Sequence, residues 1–218
     1  MDRAAAFREI TLRQIGALRL DADRPVVICD VDDVVMRSLP AFENYIAALG
    51  LEIDSGRFAV SGNIRKRATG EVLARDEIRV LRRKFLRDCI LDLEPLPGAA
   101  EWLERISAEA DVVMLSNMPL QLADQRHRSL MRQGMAYPLV VNFGAKGPPA
   151  VSIAGTRRAV FIDNREVHMT SVYEVLPHVH LVHFLAGETR DWRPLPFVGL
   201  TTGSWAEAGP SIIDHLRA

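Results

Sequence analysis

The sequence predicts an α/β fold, a doubly wound parallel sheet with a small helical segment inserted after its first strand. Three observations carry this. Val26-Val27-Ile28 is an unbroken β-branched run, short enough for one strand buried on both faces. Further on, apolar runs of strand length alternate with amphipathic runs of helix length, the pattern of a parallel sheet covered by helices. Between the first strand and the next lies too much chain for a single βα connection.

The elements follow in order. Residues 1–20 read as a short helix with Phe7, Ile10, Ile15 and Leu18 on a loose apolar face, and Asp21 to Pro25 is a polar break. After the first strand, Pro40 opens a helix in which Phe42, Tyr45, Ile46 and Leu49 recur at i, i+3, i+4, i+7 until Gly50 closes it. Residues 51–70 show no clear period. A longer helix over about 72–90 sets Ile78, Leu81, Phe85 and Cys89 on one side. Pro95 to Gly98 marks a return, and Ala99, Trp102, Leu103 and Ile106 take core spacing in the next helix. The expected division is a core domain of residues 1–37 and 94–218 with a helical insertion over 38–93.

Strand and helix then alternate. Asp111 to Leu115 is a strand ending in Ser116-Asn117, followed by a helix over about 120–132. Tyr137 to Asn142 is the next strand, and Gly144-Ala145-Lys146-Gly147 leads into a short helix begun by Pro148 and Pro149. Ala159 to Ile162 ends in Asp163-Asn164, and Met169, Val172, Tyr173 and Leu176 mark the helix after it. His178 to Phe184 is the last strand, and a helix around 211–216 closes the chain. The alternating His178, His180 and His183 suit an edge or half-exposed strand. With no cysteine nearby and Glu174 and Glu188 outside the strand, a zinc site is not the expected reading.

Composition narrows the function classes. Hydrophobic content of 48% and charged content of 25% are those of a globular domain, and a net charge of -1 offers no bulk attraction to nucleic acid or an anionic membrane. No window approaches the roughly 20 apolar residues of a membrane span. Only two cysteines occur, and Cys29 lies in the proposed buried strand, which favours a reducing compartment over a disulfide framework. Asp2, Arg3, Arg8 and Glu9 interrupt any signal-peptide run, so a cytoplasmic location is expected. Oligomeric state stays open.

The chemistry gathers where strands end. Asp30, Asp32 and Asp33 fall at or just beyond the carboxyl end of the first strand, where open α/β sheets hold their ligands. Carboxylates that close repel, and a divalent cation such as Mg²⁺ is the usual remedy. Ser116 with Asn117 and Asp163 with Asn164 end two further strands. Lys146, one of three lysines in an arginine-rich chain, stands at a helix start that favours anions. Singly, each has a plainer reading: aspartate and serine cap helices and turns, and lysine is usually solvated. Together they form a kit for phosphoryl transfer, in which positioning and charge neutralisation do most of the work.

In these residues the chain resembles the haloacid dehalogenase (HAD) superfamily, whose members are mostly Mg²⁺-dependent phosphatases. Asp30-Val31-Asp32-Asp33-Val34 matches its first motif, Ser116 the second, Lys146 the third and Asp163-Asn164 the fourth. The resemblance implies a HAD-like core whose insertion is a helical cap closing over the site. Asp30 would be the nucleophile that forms an aspartyl-phosphate, and Asp32 the general acid and base. Ser116, with Asn117 beside it, and Lys146 would bind the phosphoryl group. The Arg65-Lys66-Arg67 run is more often a solvated face than a binding patch, but within a cap Asn63, Arg65 or Arg67 would reach the substrate's polar end. Mg²⁺ would take Asp30, the carbonyl of Asp32 and a side chain from Asp163 or Asn164. The implied activity is hydrolysis of a small phosphorylated metabolite.

Two positions depart from the pattern. Asn164 stands where a second acid is typical, and His168 where some relatives carry a further acid. The alternative is therefore a catalytically weak or inactive relative that binds a phosphorylated ligand or a partner protein.

Overall fold

A computed structural model describes residues 3–54, 63–186 and 194–218. In chain order its strands are β1 (Val26–Cys29), β2 (Leu51–Ile53), β3 (Ile64–Lys66), β4 (Asp111–Asn117), β5 (Leu139–Asn142), β6 (Ala159–Asp163), β7 (His180–Phe184) and β8 (Leu200–Thr202). The helices are α1 (Arg3–Gly16), α2 (Ser38–Ala47), α3 (Arg75–Cys89), α4 (Ala99–Glu109), α5 (Ala123–Arg132), α6 (Gly147–Ala154), α7 (Glu166–Tyr173) and α8 (Trp205–Arg217). Among the described residues no helix is long and apolar enough to cross a membrane.

Six strands form one parallel sheet in the order β5-β4-β1-β6-β7-β8. Because successive side chains on a strand point to opposite faces, each strand feeds two cores. Val27, Cys29, Val112, Met114, Val160 and Ile162 face α4, α5 and α8, whereas Val26, Ile28, Val113, Leu115 and Phe161 face α1, α6 and α7. The chain leaves β1 toward β4 and β5 on one side and later adds β6 and β7 on the other. Such a topological switch point opens a crevice at the strands' carboxyl ends. Asp30 begins there, its N–H donating to Ile162 of β6 at 2.9 Å.

Three sequence expectations change. The expected edge strand β7 lies inside the sheet with four of its five residues buried, because β8 pairs along its outer side. Residues 51–70, which showed no period, include the antiparallel pair β2 and β3, so among the described residues the insertion holds a strand pair beside α2 and α3 rather than being helical throughout. The closing helix starts at Trp205, well before the expected residue 211, and runs through Gly209 and Pro210. Gly209 is needed there, since a Cβ would fall 2.1 Å from the Trp102 ring of α4.

The inserted segment joins the sheet through a paired neck. Arg37 N–H donates to Glu94 at 2.8 Å and Leu96 N–H to Val35 at 2.8 Å. Inside the segment, Phe42 of α2 meets Phe85 of α3 edge-on at 5.2 Å, with Ile46, Ile64 and Ile78 buried around them. The loop between β1 and α2 is tightly wound. Asp33 takes φ 61°, a left-handed conformation that aspartate tolerates better than most residues, and its Oδ1 accepts the N–H of Leu39 at 2.7 Å. From α8, Trp205 Nε1 donates to the Val34 carbonyl at 2.7 Å and pins the loop to the core.

Candidate active site

Sheet register brings the strand ends together. Val27, Ile28 and Cys29 run alongside Val112 to Met114 on one side and Val160 to Ile162 on the other, so the residues just beyond these positions share one rim. Asp30, Ser116 and Asp163 occupy it.

Lys146 is the hub. Its Nζ lies 2.7 Å from Asp30 Oδ1 and 2.7 Å from Asp163 Oδ2, and its side chain is 1% exposed. Asp163 is completely buried and Asp30 retains 9% exposure, so the nucleophile candidate is the one reachable carboxylate of the pair. Burial disfavours charge on Asp30 and raises its carboxyl to about 6, although Lys146 pulls the other way. At neutral pH it remains mostly ionised. Burial also works against the Lys146 ammonium, but the two carboxylates outweigh it and its pKa rises. An ammonium has three N–H donors, and these carboxylates use two.

Several local features place Lys146. It is the residue before α6, whose Gly147 N–H donates to Ser171 Oγ at 3.0 Å. A Cβ on Gly147 would sit 2.2 Å from the Ser171 carbonyl oxygen, so only glycine permits this approach of α6 to α7. Asn117 donates through Nδ2 to the Gly144 carbonyl at 2.7 Å, and Asn142 Nδ2 donates to Asn117 Oδ1 at 2.9 Å. Asn117 therefore anchors the lysine loop. The sequence had suggested it as a ligand contact.

Ser116 Oγ is buried at the same rim and, among the described residues, has no hydrogen-bond partner. A buried hydroxyl left so is a candidate ligand contact. His168 is also buried, with Nε2 3.4 Å from Asn117 Nδ2. Burial, reinforced by Lys146, lowers its pKa to about 4, so it stands neutral.

Asp32 has a different partner. Its Oδ1 accepts from Arg126 Nη2 of α5 at 2.5 Å and from Ser38 Oγ of α2. Arg126 is fully buried, and sequence reasoning missed it. On a helix carrying Arg126, Arg128 and Arg132 no spacing singles it out as the one turned inward. Arg65 stands on the hairpin, tied to Glu52 at 2.7 Å, and is not among the groups that meet Lys146. Asn63, just before β3, is buried, and its carbonyl accepts the Asp54 N–H at 2.7 Å.

Among the described residues no three His, Cys, Asp or Glu side chains gather for a metal. Asp163 already accepts from Lys146 and, through Oδ1, from the Arg165 N–H at 2.8 Å. Asp30's second oxygen and the Asn164 side chain have no bonded partner among the described residues. This oxygen set fits Mg²⁺ of the kind held by one carboxylate with carbonyl, amide and water oxygens and completed by a ligand phosphate. It is not a closed cage.

No family model matches the chain, and no curated protein matches it. Solved structures do. A haloacid dehalogenase-like family hydrolase from Streptococcus pneumoniae superimposes with a TM-score of 0.59 at 12% identity, covering 86% of this chain and 98% of that one. A HAD family hydrolase from Deinococcus radiodurans, with bound phosphate and sodium, gives 0.58 at 17% identity over 89% and 97%. A candidate HAD-hydrolase from Bacillus subtilis bound to magnesium gives 0.59 at 10% identity over 87% and 99%. With a parallel six-stranded sheet in this order and helices on both faces, the chain has the fold of the haloacid dehalogenase-like hydrolases.

Proposed function

We propose that this protein is a phosphatase that hydrolyses a small phosphomonoester through an aspartyl-phosphate on Asp30. The observation that carries the reading is the buried Lys146, 2.7 Å from both Asp30 and Asp163, with the partnerless Ser116 hydroxyl on the same strand-end rim. A nucleophilic carboxylate, a spare ammonium donor and a hydroxyl donor thus converge at one rim. Phosphate in the Deinococcus structure and magnesium in the Bacillus one support it.

In the first half-reaction an Asp30 oxygen bonds to phosphorus as the bond to the leaving oxygen breaks, and Asp32 delivers a proton to that oxygen. Lys146 and Ser116 hold the transferring group's oxygens and balance its charge. In the second, Asp32 takes a proton from water as that water attacks phosphorus, and Asp30 is released as carboxylate. Asp163, with both oxygens engaged, orients Lys146. Asp30, the carbonyl of Asp32 and Asn164 would hold Mg²⁺, whose contribution is to neutralise phosphoryl charge. The segment over 38–93 acts as the cap, swinging on the neck at Val35–Arg37 and Glu94–Leu96 to exclude water and select substrate.

The test is hydrolysis of p-nitrophenyl phosphate with Mg²⁺ by the native chain and by Asp30→Asn. The native protein turns over and the variant loses at least about a thousandfold, in line with loss of a covalent nucleophile. Equal rates would remove Asp30 from the mechanism. A second reading, a weak or silent relative that binds a phosphorylated ligand, is favoured by the amide at Asn164 in place of a charged ligand. Under that reading Asn164→Asp raises Mg²⁺-dependent turnover sharply.

A further inference from the structure

Asp32 is held by a device that the proposed phosphatase chemistry does not itself require. Arg126 comes from α5, remote in sequence, and sends a fully buried guanidinium to a carboxylate whose side chain is 29% exposed. Its Nη2 meets Asp32 Oδ1 at 2.5 Å, and Ser38 Oγ, from the first residue of α2, donates to the same oxygen. Among the described residues Arg126 Nε and Nη1 have no partner. A guanidinium buried to make one bond carries a large desolvation cost, so that bond is the reason to look for a role.

Two donors on Oδ1 leave Asp32 one way to work. Rotation of the carboxyl would break both bonds, so the second oxygen, without a partner among the described residues, is the one free to carry and transfer a proton. We propose that Arg126 is a positioning residue that fixes the Asp32 carboxyl with this oxygen toward the leaving group. The inference rests on the phosphatase reading above. Arg126 forms no bond to substrate and changes no stoichiometry: the proton still passes from the second oxygen of Asp32 to the leaving oxygen as the P–O bond breaks. What it supplies is aim, and a general acid off its line loses most of its contribution.

Aim matters in proportion to how badly the leaving group needs its proton. The experiment therefore compares kcat/KM on ring-substituted phenyl phosphates, from p-nitrophenyl to p-methoxyphenyl, for the native chain, Arg126→Met, Arg126→Lys and Asp32→Asn. The series holds recognition nearly constant while the leaving phenol becomes progressively poorer. Arg126→Met is expected to lose at least about tenfold more on the p-methoxyphenyl than on the p-nitrophenyl ester, a fraction of the 10²–10⁴ that a general acid contributes. Arg126→Lys, which keeps the charge without the fork, falls between. In the Asp32→Asn background, Arg126→Met adds no further dependence on leaving group. Equal fractional losses along the series in Arg126→Met, or undiminished activity, would overturn the positioning role while leaving the phosphatase standing. A native chain inactive on every ester would overturn the phosphatase reading itself and this inference with it.

Discussion

Two of the charge clusters among the described residues look alike on paper and differ in what surrounds them. At the strand ends Lys146 stands between Asp30 and Asp163 with almost no access to water. On the β2–β3 hairpin Arg65 lies between Glu52 at 2.7 Å and Asp54 at 4.0 Å, with every partner at least a third exposed. In water the second kind of pair is screened and worth little. In the interior the charges cannot turn to solvent, so each depends on the others being present. Burial of a charge, more than the number of its partners, decides how strongly the fold depends on that charge being paired.

Breaking the buried cluster should have the largest effect. Lys146→Met leaves two carboxylates facing each other without a cation, and urea unfolding should report a loss of about 3–5 kcal/mol. Adding Asp163→Asn to it should return part of that stability, since one of the two stranded charges is gone.

A smaller effect sharpens the same contrast through pH. His168 is buried neutral, with its pKa about 4 in the folded chain against 6.5 unfolded. Between these values the unfolded chain binds a proton that the folded chain does not, so stability falls as pH drops from about 6.5 to about 4. The His168 contribution to that fall is at most about 3 kcal/mol. Thermal midpoints of the native chain and His168→Gln should converge across this window, and parallel curves would show that His168 does not titrate so.

The smallest effect is expected on the hairpin. Arg65→Ala should leave the thermal midpoint unmoved within experimental scatter, both in low salt and in 0.5 M salt. A clear drop would mean that the exposed cluster is more than a solvated ladder.

The two regions also differed in how far they could be read from sequence. The strands β1, β4 and β6 announce themselves as apolar runs, and the polar residues that end them, Asp30, Ser116 and Asp163, could be placed at one rim from topology alone. Lys146 was legible because it interrupts an arginine-rich composition between glycines. Arg126 was not, since a helix that buries one arginine has the same residue pattern as one that solvates all of them. The hairpin escaped because three-residue strands are too short to show alternation, and β8 escaped for the same reason. The closing helix was expected only around 211–216, but Trp102 fills the space beside Gly209 and the helix runs from Trp205 through Gly209 and Pro210.

The most direct measurement is to trap the covalent state. Acid-quenching the native protein during turnover of p-nitrophenyl phosphate with Mg²⁺, followed by mass spectrometry of its peptides, should reveal one added phosphoryl group on the peptide that contains Asp30, lost on hydroxylamine treatment and absent from Asp30→Asn. Steady phosphate release with no modified peptide, or a phosphoryl group found on any other residue, would contradict the account.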